Sequence, residues 1–144
     1  MTDVPGVAVG HRTLHRGGPD DEPCLRTGAS VIDPAVDRDV YENPVTGATS
    51  VLNGYGKSVG LPQVDELGEI ETPIGLTNTL DVWSVADAVA GRALERDASV
   101  TSVNPVVGEC NDGVLNDIRG RHVSAAHVED AFEAATESNT QEGC

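Results

Sequence analysis

Pro73-Ile74-Gly75-Leu76-Thr77-Asn78-Thr79-Leu80-Asp81-Val82 changes its period part-way along. The apolar run from Pro73 to Thr77 predicts a strand that ends in the polar turn Asn78-Thr79. Asp81 then predicts a helix cap, because Val82, Val85, Ala86, Val89 and Ala93 fall on one face of a 3.6-residue period up to about Arg96. Working outward, Ser124 predicts the cap of a second helix, with Val123 and Val128 as a hydrophobic staple and Ala131, Phe132 and Ala135 along its apolar side. A weaker helical turn is predicted at Pro62–Leu67, stopped by Gly68. Further strands are predicted at Gly6–Gly10, Ala29–Ile32, Thr49–Leu52 and Pro105–Val107, with loops at His15–Pro23 and Pro34–Gly47. Strands and helices interleave, but the connections are too irregular for repeated β-α-β units. The expectation is an α+β layered fold.

The chain has 144 residues, which fits one domain, with 16 Gly, 8 Pro and only 3% aromatic residues. Its core must therefore be built from Val, Ile, Leu and Ala. Asp and Glu number 24 against 9 Lys and Arg, for a net charge of -15. That balance argues against a nucleic-acid partner, which would require clustered cations to displace counterions. Only Lys57 is a lysine and the other basic residues are arginines, a pattern expected of a protein adapted to high salt. Cys24, Cys110 and Cys144 are odd in number and widely spaced, which suggests a reducing compartment. There is no leader-like N-terminus and no apolar run of membrane-spanning length, so a cytoplasmic protein with no membrane partner is expected. The tail from Thr136 to Cys144 is polar and reads as cut short, giving an expected single, truncated domain over 1–144.

Candidate chemistry is sparse. The pairs His11/His15 and His122/His127 have no helical placement that would converge their rings, and they read as surface or turn histidines, so no metal site is expected. Cys110 reads as buried or incidental. No serine lies in a nucleophile elbow, and the phosphate-loop pattern fails before Lys57. Asn53-Gly54-Tyr55-Gly56-Lys57 is either a glycine-rich turn or a binding loop, with a phenol and the only side-chain ammonium of the chain at a strand end. Asp112-Gly113-Val114-Leu115-Asn116-Asp117-Ile118 is either an Asx turn with Leu115 and Ile118 in the core or a place where Asn116 offers its amide to a developing oxyanion.

Taken in order, Thr2-Asp3-Val4-Pro5-Gly6-Val7-Ala8-Val9-Gly10-His11, Arg26-Thr27-Gly28, Asn53 to Lys57, Glu71 to Thr79, Asp112 to Ile118 and Glu142-Gly143-Cys144 resemble the L-aminopeptidase/D-esterase family, which includes the β-peptidyl aminopeptidases. The resemblance implies a layered α-β-β-α sandwich, incomplete in this chain, and a self-processing hydrolase similar in logic to the N-terminal nucleophile enzymes. In such enzymes a Ser or Thr exposed by self-cleavage attacks and its own amine serves as base, without cofactor or metal. The nucleophile lies downstream, so the resemblance implies that this chain alone is inactive and needs a nucleophile-bearing subunit. It further implies a small peptide or amino-amide substrate, homo-oligomeric assembly, Asn116 as a catalytic oxyanion donor, and Tyr55 and Lys57 as substrate-binding residues. Two departures stand out. Lys57 occupies a place where many relatives carry an acid, which puts strict aminopeptidase specificity in doubt, and Trp83 is a large residue where a small one is usual, expected to narrow the pocket. An ornithine acetyltransferase-like acyltransferase and an inactive fragment or binding subunit are the alternatives.

Overall fold

Two helices sit on one face of a four-stranded sheet because the residues beneath them are small or β-branched. The computed structural model describes residues 1–138, so Glu142-Gly143-Cys144 lies outside the described residues. Its elements run β1 (Ala8–Arg16), β2 (Leu25–Asp33), β3 (Val45–Thr46), α1 (Leu61–Leu67), β4 (Glu69–Ile70), β5 (Ile74–Asn78), α2 (Val82–Arg96), β6 (Val106–Cys110) and α3 (Ala125–Glu133), with a 3-10 turn at Ile118–Gly120. The main sheet has the order β1-β2-β5-β6. The pairs β1/β2 and β2/β5 are antiparallel, while β5 and β6 are parallel, joined through α2. β3 and β4 form a separate two-stranded antiparallel sheet. The α+β expectation is met.

Alternation along each strand sends Ala29, Val31 and Val107 toward the helices, where they join Val82, Val85, Val89, Val128 and Ala131 in one core. Each fully buried valine of this set contributes about 1.5–3 kcal/mol relative to exposure. The near-absence of aromatic residues is compatible with such packing because two glycines allow close approach. A Cβ on Gly10 would run into the backbone of Ala131 and Ala135, and one on Gly75 would lie 2.7 Å from Val85 Cγ1. Thus α3 seats on β1, and α2 on β5, at positions without side chains.

Several sequence expectations shift. The first strand does not stop at Gly10 but continues through His15 and Arg16, because Thr13 pairs with Gly28 and His15 with Arg26 across the hairpin. Thr49–Leu52 forms no strand; Val51 and Leu52 are exposed, Leu52 at 97%, with no neighbouring strand to pair them. The small sheet instead uses Val45–Thr46. The turn at 61–67 is a short helix closed by Gly68 in the left-handed region (φ 69°), as its sequence predicts. Thr136, expected in a loose polar tail, bridges Val9 through reciprocal backbone bonds of 3.0 and 3.1 Å. Among the described residues no helix is long and apolar enough to cross a membrane.

Candidate active site

The carboxyl ends of β5 and β6 lie side by side, and the chain leaving each of them carries polar residues that converge. β5 ends at Asn78, paired with Cys110, and Thr77 is paired with Glu109. Asn78 is buried, and its Nδ2 donates to Thr27 Oγ1 at 2.9 Å and to Asp81 Oδ2 at 2.8 Å. Its Oδ1 accepts the backbone N–H groups of Leu80 and Asp81. Asn78 therefore shapes the turn from strand into helix with its own side chain.

Asp81 stands at the predicted cap position of α2, yet its carboxylate does not bond the helix amides. It is fully buried, and Oδ2 also accepts the Val123 N–H at 3.1 Å. Oδ1 lies 3.7 Å from Arg121 Nε. Its Oδ2 is taken up instead by the Asn78 amide and the Val123 N–H. Asp81 thus ties the start of α2 to the entry of α3. Ser124 does cap α3 as expected, and His127, read from the sequence as a surface or turn residue, completes a reciprocal cap, with the Ser124 N–H donating to His127 Nδ1 at 3.1 Å.

Glu109 links the strand ends to the glycine-rich loop. One carboxylate oxygen accepts the Lys57 backbone N–H at 3.0 Å, and the other accepts the Thr79 hydroxyl. With roughly four acceptor positions on a carboxylate, two remain for a ligand. The Lys57 ammonium folds back over its own loop, donating to the Tyr55 carbonyl at 3.0 Å and lying 4.5 Å from the Tyr55 ring centroid. Lys57, Asn53, Ser58, Asp65 and Glu109 line a cleft of about 730 Å³. Tyr55 is 86% exposed, so its ring projects from the loop instead of closing the cleft. Glu109 also borders a second cleft of about 320 Å³ on the sheet, together with Arg26, Ser30, Leu76, Asn78 and Asp112.

Asn116 is buried at the foot of the loop that follows β6. Its Oδ1 accepts the Arg26 N–H at 3.2 Å and its Nδ2 donates to Asp112 Oδ1 at 3.2 Å. One amide hydrogen of a carboxamide donates there, and the second is the donor an oxyanion would require. The loop has the Asx geometry of its sequence, with the Gly113 N–H on Asn111 Oδ1 at 3.0 Å. Leu115 is not in the core, however; it is 71% exposed, because the backbone N–H groups of Leu115 and Asn116 both turn in to the Asp112 carbonyl and leave the leucine outside.

Asn116 lines a third cleft, of about 870 Å³, with Cys24, Arg26, Asp117 and His122; it shares Arg26 with the strand-end cleft and no residue with the Lys57 cleft, so the structure does not bring Asn116 and Lys57 into one cleft. Glu109 is the residue sequence reasoning missed. The available signal was a carboxylate at the carboxyl end of an apolar strand, where open sheets present ligands. Trp83 is exposed on the first turn of α2 and lines neither the Lys57 cleft nor the strand-end cleft. Cys110, expected to be buried or incidental, is exposed at the end of β6. His11 is no surface turn residue; it lies part-buried in β1, its Nδ1 2.7 Å from Ser30 Oγ, and its Nε2 has no hydrogen-bond partner among the described residues. His11 and His15 stand four residues apart on one strand, about 13 Å, too far to share a ligand. Among the described residues no cluster of His, Cys, Asp and Glu has the arrangement of a metal site.

Comparison with known proteins places this geometry. The family model described as peptidase family S58 matches residues 1–144. The chain is 33% identical to the β-peptidyl aminopeptidase BapA of Sphingosinicella microcystinivorans, over 99% of this chain and 36% of that protein. It superposes on a Burkholderia sp. β-aminopeptidase with a TM-score of 0.92 and 45% identity, covering 99% of this chain and 40% of that one. It superposes on the L-aminopeptidase D-Ala-esterase/amidase of Ochrobactrum anthropi, described as a prototype for the serine aminopeptidases and a variant of the Ntn hydrolase fold, with a TM-score of 0.88 and 31% identity over 99% of this chain and 41% of that one. The chain spans about two fifths of the length of these relatives.

Proposed function

The chain belongs to peptidase family S58, and from that premise we propose that it forms the N-terminal portion of a self-processing serine/threonine-type aminopeptidase that hydrolyses the amide bond after the first residue of small peptides or amino amides. On this reading residues 1–144 build one wall of the active site, and the nucleophile is contributed by a downstream subunit released by self-cleavage. The observation that carries the reading is the family match over the whole chain, together with Glu109 fastening the 53–57 loop at the carboxyl ends of two adjacent strands.

Each group has a task that its chemistry suits. Glu109 accepts the free ammonium of the substrate on the lone pairs left by Lys57 and Thr79, and so sets the register that makes the enzyme an aminopeptidase. Asn116 donates its second amide hydrogen to the tetrahedral oxyanion. Its position is held in advance by Arg26 and Asp112, so no reorganisation is required as charge develops. Lys57 lines the cleft, and Tyr55, outside that lining, holds the Lys57 ammonium on its carbonyl and ring face. The sheet face bearing Ser30 and Leu76, opposite α2 and α3, is where the second sheet of the α-β-β-α sandwich packs. The same reading makes the described residues inactive by themselves and the complete enzyme a cytoplasmic homo-oligomer.

The test is substrate chemistry in the protein expressed from the longest reading frame. Alanyl p-nitroanilide should be cleaved and N-acetylalanyl p-nitroanilide should not, because acetylation removes the ammonium that Glu109 binds. Equal rates on both would reject the assignment of Glu109, and acetyl transfer to an added amine in place of hydrolysis would favour an acyltransferase.

A further inference from the structure

We propose that Lys57 binds a carboxylate carried by the substrate, so that the cleft selects small molecules bearing both an ammonium and a carboxylate. This rests on the aminopeptidase reading above and narrows its substrate class.

The first observation is one of composition and place. Eight of the nine basic residues are arginines, and the single lysine lies in the cleft beside Glu109. The second is electrostatic. Arg12, Arg92, Arg96 and Arg121 each pair with a carboxylate, to Asp130, Glu129, Asp39 and Asp81 respectively. Lys57, like Arg16, Arg26, Arg38 and Arg119, makes no ion pair among the described residues, but of these five cations it alone lines the cleft of about 730 Å³ beside Glu109. Its ammonium rests on one carbonyl and one ring face, both neutral.

The third observation is the division of labour within the residue. The Lys57 backbone is anchored by its N–H on Glu109, whereas the flexible side chain is held only by the contacts with Tyr55. An ammonium on a four-carbon stem has three rotatable donors, and exchanging a carbonyl for a carboxylate gives the stronger, charge-assisted bond. Glu109 and Asp65 would both repel a carboxylate entering the cleft unless a cation offset them, and Lys57 is the one cation in its lining. A cleft of about 730 Å³ has room for the end of a peptide held at two points. The carboxylate has two possible sources, the side chain of an N-terminal Asp or Glu and the C-terminus of a dipeptide.

The experiment uses the full-length, self-processed enzyme and two substrate pairs: glutamyl against alanyl p-nitroanilide, and dialanine against dialanine amide. The expected result is a preference of about tenfold or more in kcat/KM for the acidic member of one pair. The first pair identifies a side-chain carboxylate and the second a C-terminal one. The preference should persist in Lys57→Arg, collapse toward unity in Lys57→Met and reverse in Lys57→Glu. Equal kcat/KM within both pairs, or a preference unchanged in Lys57→Met, overturns the inference while leaving the aminopeptidase reading intact. Failure of the wild-type protein to cleave any of the four substrates overturns both.

Discussion

The carboxylate of Glu109 accepts the backbone N–H of Lys57 at 3.0 Å across 52 positions of sequence, and together with the reciprocal backbone bonds between Val59 and Val107 this bond sets the glycine-rich loop against β6. An anion and a cation are thereby brought to the same cleft without neutralising each other, because the contact uses the backbone of the lysine and leaves its ammonium elsewhere. Glu109→Gln keeps the shape and an acceptor for Lys57 but removes the charge. In the full-length enzyme KM for substrates with a free amine should rise by roughly tenfold or more, with kcat changed much less. A fall in kcat at constant KM would assign Glu109 to the chemical step instead.

Asn116→Ala should lower kcat by roughly 10²-fold or more if the amide donates to the oxyanion. The side chain also bonds Arg26 and Asp112, so a loss of about 1 kcal/mol in stability is expected as well. Measuring urea unfolding beside kcat separates the two: a stability loss with unchanged turnover would leave Asn116 as a loop fastener only.

Asp81 should prove more important for stability than any group in the clefts. It is fully buried, accepts from Asn78 and Val123, and faces Arg121. Asp81→Ala strands those donors, and a cost of about 3 kcal/mol in denaturant unfolding is expected. A cost under about 1 kcal/mol would mean that water or a shifted Arg121 replaces the carboxylate.

The helices and central strands were legible because they obey local rules. Val82 to Val89 and the Ser124 cap stand in the sequence at the spacing the structure uses. What escaped were features decided by distant partners. Thr13 and His15 look like loop residues until β2 is placed beside them, and two-residue strands such as Val45–Thr46 have no period to detect. Val51 and Leu52 misled in the other direction, since an apolar pair predicts burial only where a partner surface exists. Asn116 was singled out from its motif, yet its bonds to Arg26 and Asp112 depend on loops closing across the sheet end. Glu109 was passed over because its place at the end of an apolar strand gains meaning only once β5 lies beside β6 and brings Thr77 opposite it.

Gly10→Ala tests the seating of α3. The added methyl meets the backbone of Ala131 and Ala135, which cannot rotate away, so a loss of about 2 kcal/mol or more is expected. A neutral result in thermal or urea unfolding would show that α3 shifts at little cost.

The net charge of -15 predicts a melting temperature that rises steeply from low to molar salt, as screening relieves self-repulsion. A flat response would reject adaptation to high salt and leave the acidic surface as a solubility device.

The central claim is that this chain is one part of an enzyme that cuts itself, and intact mass of the product of the longest reading frame tests it most directly. The account predicts two fragments, the smaller one beginning with Ser or Thr, and catalytic activity that appears together with cleavage. A single uncleaved polypeptide, active or not, would contradict it.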